Sequence, residues 1–114
     1  VVKLQGKGDF IEVTKSEISL DKFCKARAIK PEIIKIDVEG AEINVLKGAR
    51  QTLLDSKPII FLSVHPVHIE KLGYTLDDLL ELIDALSYDL RTIEGKPIEK
   101  FALDEYLATP KEKY

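Results

Sequence analysis

An apolar run that ends at two acids and a glycine is the feature that most constrains the fold of this chain. Ile33-Ile34-Lys35-Ile36 is followed by Asp37-Val38-Glu39-Gly40-Ala41-Glu42, where a helical pattern begins. This order predicts a strand, a turn and a helix. Because side chains alternate along a strand, we expect Lys35, Asp37 and Glu39 on one side, with both acids at the carboxyl end. Ligands of open α/β sheets bind at that end, so the stretch is a candidate site.

The same acids also have a purely structural interpretation. An aspartate after a strand often only accepts hydrogen bonds from turn amides. Glu39 and Glu42 suit the positive end of a following helix. Spacing alone therefore leaves both interpretations open.

A longer series of motifs resembles one enzyme family. The segments are Ser19-Leu20-Asp21, Lys35-Ile36-Asp37-Val38-Glu39-Gly40-Ala41-Glu42, Val45-Leu46-Lys47-Gly48-Ala49 and Pro58-Ile59-Ile60. In order and spacing they resemble the signature of the FkbM family of S-adenosylmethionine-dependent methyltransferases, including its "tLD" box. The resemblance implies methyl transfer to a hydroxyl of a small molecule or sugar, with S-adenosylmethionine held at Asp37 and Val38.

Length and composition fit one small domain. The chain has 114 residues, 45% of them apolar and 32% charged, so we expect a single α/β domain over residues 1–114. No apolar run approaches the roughly 20 residues of a membrane span. The net charge of −3 argues against a nucleic-acid partner. The single Cys24 cannot form an internal disulfide, which favours a reducing compartment, so we expect a cytoplasmic protein. Because Cys24 lies in an apolar helical pattern with Leu20 and Phe23, we interpret it as a core residue.

The remaining elements follow from hydrophobic periodicity and turn residues. We expect a hairpin from residues 1–4 and 10–13, a helix over 19–30, a strand over 33–37, a helix from Ala41 to Pro58, a strand over 59–64, a helix capped by Thr75 and Asp78, a strand over 90–93, a weak strand over 98–101 and fraying after Leu107.

These elements predict the C-terminal half of a doubly wound, Rossmann-like class I methyltransferase sheet. The sheet is expected to be mostly parallel, with helices on both faces and a terminal antiparallel hairpin. The resemblance implies that the other half would carry the glycine loop that holds the cofactor. The strand over 33–37 would then have one open edge, unless the N-terminal hairpin covers it. An open edge favours a homo-oligomer.

The candidate catalytic residues are Asp37, Glu39 and His65. His65 follows the strand over 59–64, and a neutral imidazole is a better base at pH 7 than a carboxylate with a pKa of about 4. Its structural alternative is a turn residue that holds the backbone before Pro66. His68 could bind a metal together with His65 only if the segment between them were helical, which Pro66 disfavours. We therefore predict no metal site.

The candidate substrate-binding residues are Lys35, Glu42 and Ser63. Lys35 has the alternative of a salt bridge with Asp37 on the same strand. Ser63 departs from the family resemblance, in which many members have a glutamate two residues before the histidine. A hydroxyl cannot replace a carboxylate as base or metal ligand.

Two other functions compete with methyl transfer. One is a catalytically silent α/β module used for assembly, because half of the cofactor cleft would be absent. The other is a metal-dependent phosphoesterase with Asp37 and Glu39 as its acidic site.

Overall fold

A computed structural model describes residues 2–6, 11–13 and 19–111, with backbone alone for 11–13. In chain order its elements are β1 (Val2–Gln5), β2 (Ile11–Val13), α1 (Leu20–Arg27), β3 (Ile33–Ile36), α2 (Glu42–Lys47), α3 (Arg50–Ser56), β4 (Ile59–Val64), α4 (Pro66–Lys71), α5 (Leu76–Ala85), β5 (Tyr88–Thr92) and β6 (Asp104–Pro110). No helix in these ranges is long and apolar enough to cross a membrane.

The described strands form one mixed sheet in the order β2-β1-β3-β4-β6-β5. Only β3 and β4 pair in parallel, and the other described pairs are antiparallel. The prediction of an α/β fold is confirmed, but that of a mostly parallel sheet is wrong. A parallel pair needs a long crossover. Among the described elements, only the segment with α2 and α3 is a crossover between two neighbouring parallel strands, β3 and β4.

The edge of β3 is covered by the chain itself. β1 pairs with β3 along its whole length, from Val2 opposite Ile36 to Gln5 opposite Ile33. β1 also pairs with β2, as the predicted hairpin requires, although residues 7–10 of its turn lie outside the described ranges. The expected open edge of β3 is therefore wrong. A homo-oligomer stays a prediction, without this edge as its basis.

All of the described helices contribute to one core on one face of the sheet. In β4 the residues Ile60, Leu62 and Val64 are buried, whereas Ile59, Phe61 and Ser63 on the other face are only half-buried. The helices bring buried side chains to the same cluster: Leu20, Cys24, Ile43, Leu46, Leu53, Ile69, Leu79 and Ile83.

The prediction of helices on both faces is therefore wrong for the described residues. The chain moves across the sheet in the same direction when it passes from β3 to β4 and from β4 to β5. Right-handed crossovers that move in one direction place their helices on the same face.

Side-chain caps explain where α1 and α5 begin. Ser19 caps α1 by accepting a hydrogen bond from the Lys22 amide, and Thr75 and Asp78 form the predicted capping box of α5. The helix expected from Ala41 to Pro58 is divided, because α2 ends at Lys47 and α3 begins at Arg50.

The C-terminal strand lies later than predicted. Residues 98–101 belong to the connection between β5 and β6, and β6 continues to Pro110, so the expected weak strand and the fraying after Leu107 are both wrong. Tyr106, Ala108 and Pro110 are buried on alternate positions of β6. That period of two is the signal of a half-buried strand.

Candidate functional site

Asp37 and His65 lie together at the carboxyl ends of the parallel pair. β3 and β4 are in register, with Ile36 opposite Leu62, and Asp37 and His65 follow the two strands. His65 Nε2 is 3.6 Å from Asp37 Oδ1, with the histidine side chain 11% exposed and the aspartate 54% exposed. The imidazole is therefore sheltered but reachable from the side on which the aspartate meets solvent.

Glu42 holds the other nitrogen of the same ring. Its Oε1 atom lies 2.6 Å from His65 Nδ1 and accepts a second hydrogen bond, of 3.0 Å, from the His65 backbone amide. Glu42 is completely buried. The predicted contact of Glu42 with substrate does not fit this burial, because its carboxylate faces inward from the first turn of α2.

These contacts determine the proton positions on the ring. A carboxylate only accepts hydrogen bonds, so His65 Nδ1 is the donor to Glu42. In the neutral imidazole the Nε2 atom then carries the lone pair. The second oxygen of Glu42, Oε2, is buried and has no hydrogen-bond partner among the described residues. The charge of Glu42 is thus satisfied mainly through His65.

Gly40 allows the elements that carry these residues to approach each other. It lies in the turn closed by the Ala41 amide and the Val38 carbonyl at 2.7 Å, and its φ is +98°. A Cβ atom at Gly40 would lie 2.6 Å from His68 Cβ and 2.9 Å from the His68 backbone. Glycine is required by the backbone angle and by the contact with α4, which begins directly after His65.

Two further predicted residues lie on the face of the sheet that the described helices leave uncovered. Lys35 is exposed and forms an ion pair with Glu105 at 3.9 Å. Ser63 lies opposite Glu105 in the antiparallel pair of β4 and β6. No sequence motif marks Glu105, because its position depends on the strand order.

Val38 and Glu39 lie in the turn after β3. Val38 is half-buried and packs against the core, whereas Glu39 is exposed. Glu39 makes none of the hydrogen bonds and ion pairs that the described residues form at this site. His68 lies on α4, so its segment is helical, and its ring meets that of His65 edge-on with centroids 5.9 Å apart.

Asp21, in the segment that resembles the "tLD" box, has a structural role. Its carboxylate accepts hydrogen bonds from the Gln51 amide at 3.0 Å, the Thr52 amide at 2.8 Å and the Thr52 hydroxyl at 2.7 Å. Ala49, at the N-cap of α3, makes no side-chain cap. Asp21 therefore supplies from α1 the capping that α3 lacks.

A groove between α1 and α3 lies away from His65. It has a volume of about 670 Å³ and includes Cys24, Thr52 and Asp55, and none of the predicted site residues. Burial raises the pKa of the Cys24 thiol, which fits its predicted place in the core. Among the described residues no group of three or more histidines, cysteines or acids is arranged to hold a metal ion.

The model of the methyltransferase FkbM domain matches residues 3–90. The chain belongs to the FkbM methyltransferase family. The FkbM domain match runs from β1 into β5 and contains Asp37, Glu42 and His65, so it confirms the family prediction and extends it beyond the motifs. Comparisons with curated proteins and with solved structures give no match.

Proposed function

We propose that this chain is part of an S-adenosylmethionine-dependent O-methyltransferase that acts on a hydroxyl of a small molecule or sugar. The observation that carries the proposal is the contact of 2.6 Å between His65 Nδ1 and Glu42, inside an FkbM domain and at the end of a strand. Membership of the family supports methyl transfer, and the oriented imidazole supports a hydroxyl as the group that is methylated.

His65 is the proposed general base. Glu42 keeps the proton on Nδ1, which leaves Nε2 to accept the proton of the acceptor hydroxyl. As Nε2 gains that proton the ring becomes positively charged. The buried carboxylate of Glu42 then stabilises the imidazolium without moving, in the way that an aspartate supports a catalytic histidine.

Asp37 is the proposed positioning group for the acceptor. Its Oδ1 atom lies 3.6 Å from His65 Nε2, which exceeds the length of a direct hydrogen bond. A hydroxyl placed between these atoms would share its proton with the imidazole and remain close to the carboxylate. Such positioning matters because transfer requires the reacting atoms to be aligned about 3 to 3.5 Å apart.

The described residues fit one side of a cofactor site. Asp37 presents a carboxylate to solvent at the strand end, and Val38 is a half-buried apolar neighbour. S-adenosylmethionine, when bound, supplies an electrophilic methyl group. Calorimetric titration of the complete protein with this cofactor tests the assignment, and Asp37→Asn and Val38→Ala are expected to weaken binding. Absence of binding would favour the silent assembly module.

Catalysis is tested by substitution in the complete protein. Asp37→Asn and His65→Ala are each expected to lower methyl transfer by about 10²-fold or more, the scale of general acid-base groups. Glu70→Gln, which neutralises an exposed carboxylate on α4, is the control and is expected to keep full activity. Circular dichroism verifies that each variant is folded. Unchanged turnover in both site variants would remove these residues from the mechanism.

A further inference from the structure

Lys35 and Glu105 reach toward each other across a strand that lies between them. Lys35 is on β3 and Glu105 is on β6, which are the two neighbours of β4. Their register with β4 places Lys35 opposite Phe61 and Glu105 opposite Ser63, all on the face that the described helices leave uncovered. The ammonium and the carboxylate are 3.9 Å apart above β4.

This ion pair contributes little to the stability of the fold. The two side chains are 47% and 35% exposed, and exposed pairs add little to stability because water screens them. Their separation also exceeds the 2.7 to 3.2 Å of a direct hydrogen bond. A donor and an acceptor are therefore held close together with their hydrogen bonds still available to a ligand.

A cavity adjoins Glu105 at the same end of β4. It has a volume of about 250 Å³ and is lined mainly by the segment between β5 and β6, with Ile93, Ile98 and Tyr106 among its apolar walls. Asp104, also in the lining, pairs with Val64, the residue directly before His65. The cavity therefore lies near the end of β4 that His65 follows, unlike the groove between α1 and α3.

We propose that Lys35, Ser63 and Glu105 bind the acceptor, and that the acceptor is an uncharged, polyhydroxylated molecule of about the size of one sugar ring. One hydroxyl accepts from the Lys35 ammonium and donates to Glu105, and the ring extends into the cavity beside β6. Ser63, between them, adds a donor and acceptor of its own. This assignment rests on the proposed methyltransferase function and gives its substrate class.

The test measures sugar binding directly, without cofactor and without turnover. The complete protein is titrated with a panel of free neutral monosaccharides, and binding is followed by saturation-transfer NMR. Saturable binding of at least one of them is expected. Lys35→Met and Glu105→Ala are each expected to weaken it by about tenfold or more, because each removes a hydrogen bond to a charged group. Asp89→Ala, an exposed acid at the far end of the same face, is the matched control and is expected to bind normally.

Three results would overturn the assignment. They are the absence of saturable binding of any sugar in the panel, binding that survives both Lys35→Met and Glu105→Ala, and binding that falls equally in Asp89→Ala. Sugar binding with this pattern but without methyl transfer would support the subsite and contradict only the proposed function.

Discussion

Replacing Gly40 with alanine gives the sharpest test of how the site is held. A side chain at φ +98° is strained by about 1 to 2 kcal/mol. The new Cβ would also lie 2.6 Å from His68 Cβ and 2.9 Å from its backbone carbon and oxygen. Backbone atoms of a packed helix cannot move cheaply, so overpacking adds about 1 to 3 kcal/mol. The total loss of stability is expected to be about 2 to 5 kcal/mol.

Gly73→Ala is the matched control for the backbone term. Gly73 has a similar φ of +87°, but no atom of the described residues lies within 4 Å of the point that a Cβ atom would occupy there. Only the conformational cost of about 1 to 2 kcal/mol is therefore expected. Urea denaturation at constant pH measures both variants. Gly40→Ala is expected to be less stable than Gly73→Ala by about 1 to 3 kcal/mol.

The outcome for Gly40 also bears on the site. If the clash pushes α4 away from the turn, His65 moves with α4. Methyl transfer by Gly40→Ala is then expected to fall even at urea concentrations at which the variant is still folded. Equal stability of the two glycine variants would refute the close contact between the turn and α4. Full activity of Gly40→Ala would show that this contact does not position His65.

Two further predictions concern buried hydrogen bonds. The Tyr88 hydroxyl donates to the Pro58 carbonyl at 2.6 Å in the core, so Tyr88→Phe is expected to cost about 1 to 2 kcal/mol in urea denaturation. Burial raises the pKa of Tyr88, so its contribution is complete below about pH 10, where the unfolded tyrosine ionises, and is lost as pH rises toward the folded pKa. The natural protein should thus lose stability above about pH 10 more steeply than Tyr88→Phe, and parallel pH profiles would contradict this. Asp21→Ala removes three hydrogen bonds from the start of α3 and is expected to cost about 2 to 3 kcal/mol, whereas Lys22→Ala, at an exposed neighbouring position, should change stability by less than about 0.5 kcal/mol. Equal stability of these two variants would show that Asp21 does not cap α3.

The sequence alone determined the local elements and the neighbourhood of the site. The apolar run that ends at Asp37, and the second that ends at His65, are parallel strands whose ends meet in the structure. Helix caps at Ser19 and Thr75 follow from side chains that bond to amides a few residues away. Such features are set by neighbours in the chain, so residue pattern is sufficient to predict them.

Tertiary structure alone decided which strands are neighbours and which side chains are buried. β1 lies beside β3 through antiparallel pairing that no local pattern specifies, and β6 between β4 and β5 brings Glu105 to Ser63. From its position in the sequence, Glu42 is expected to be an exposed acid in the first turn of a helix. It is buried in the structure because the end of β4 places His65 over it. These contacts join residues more than 20 positions apart, so they depend on how the whole sheet and its helices pack rather than on the residues nearby.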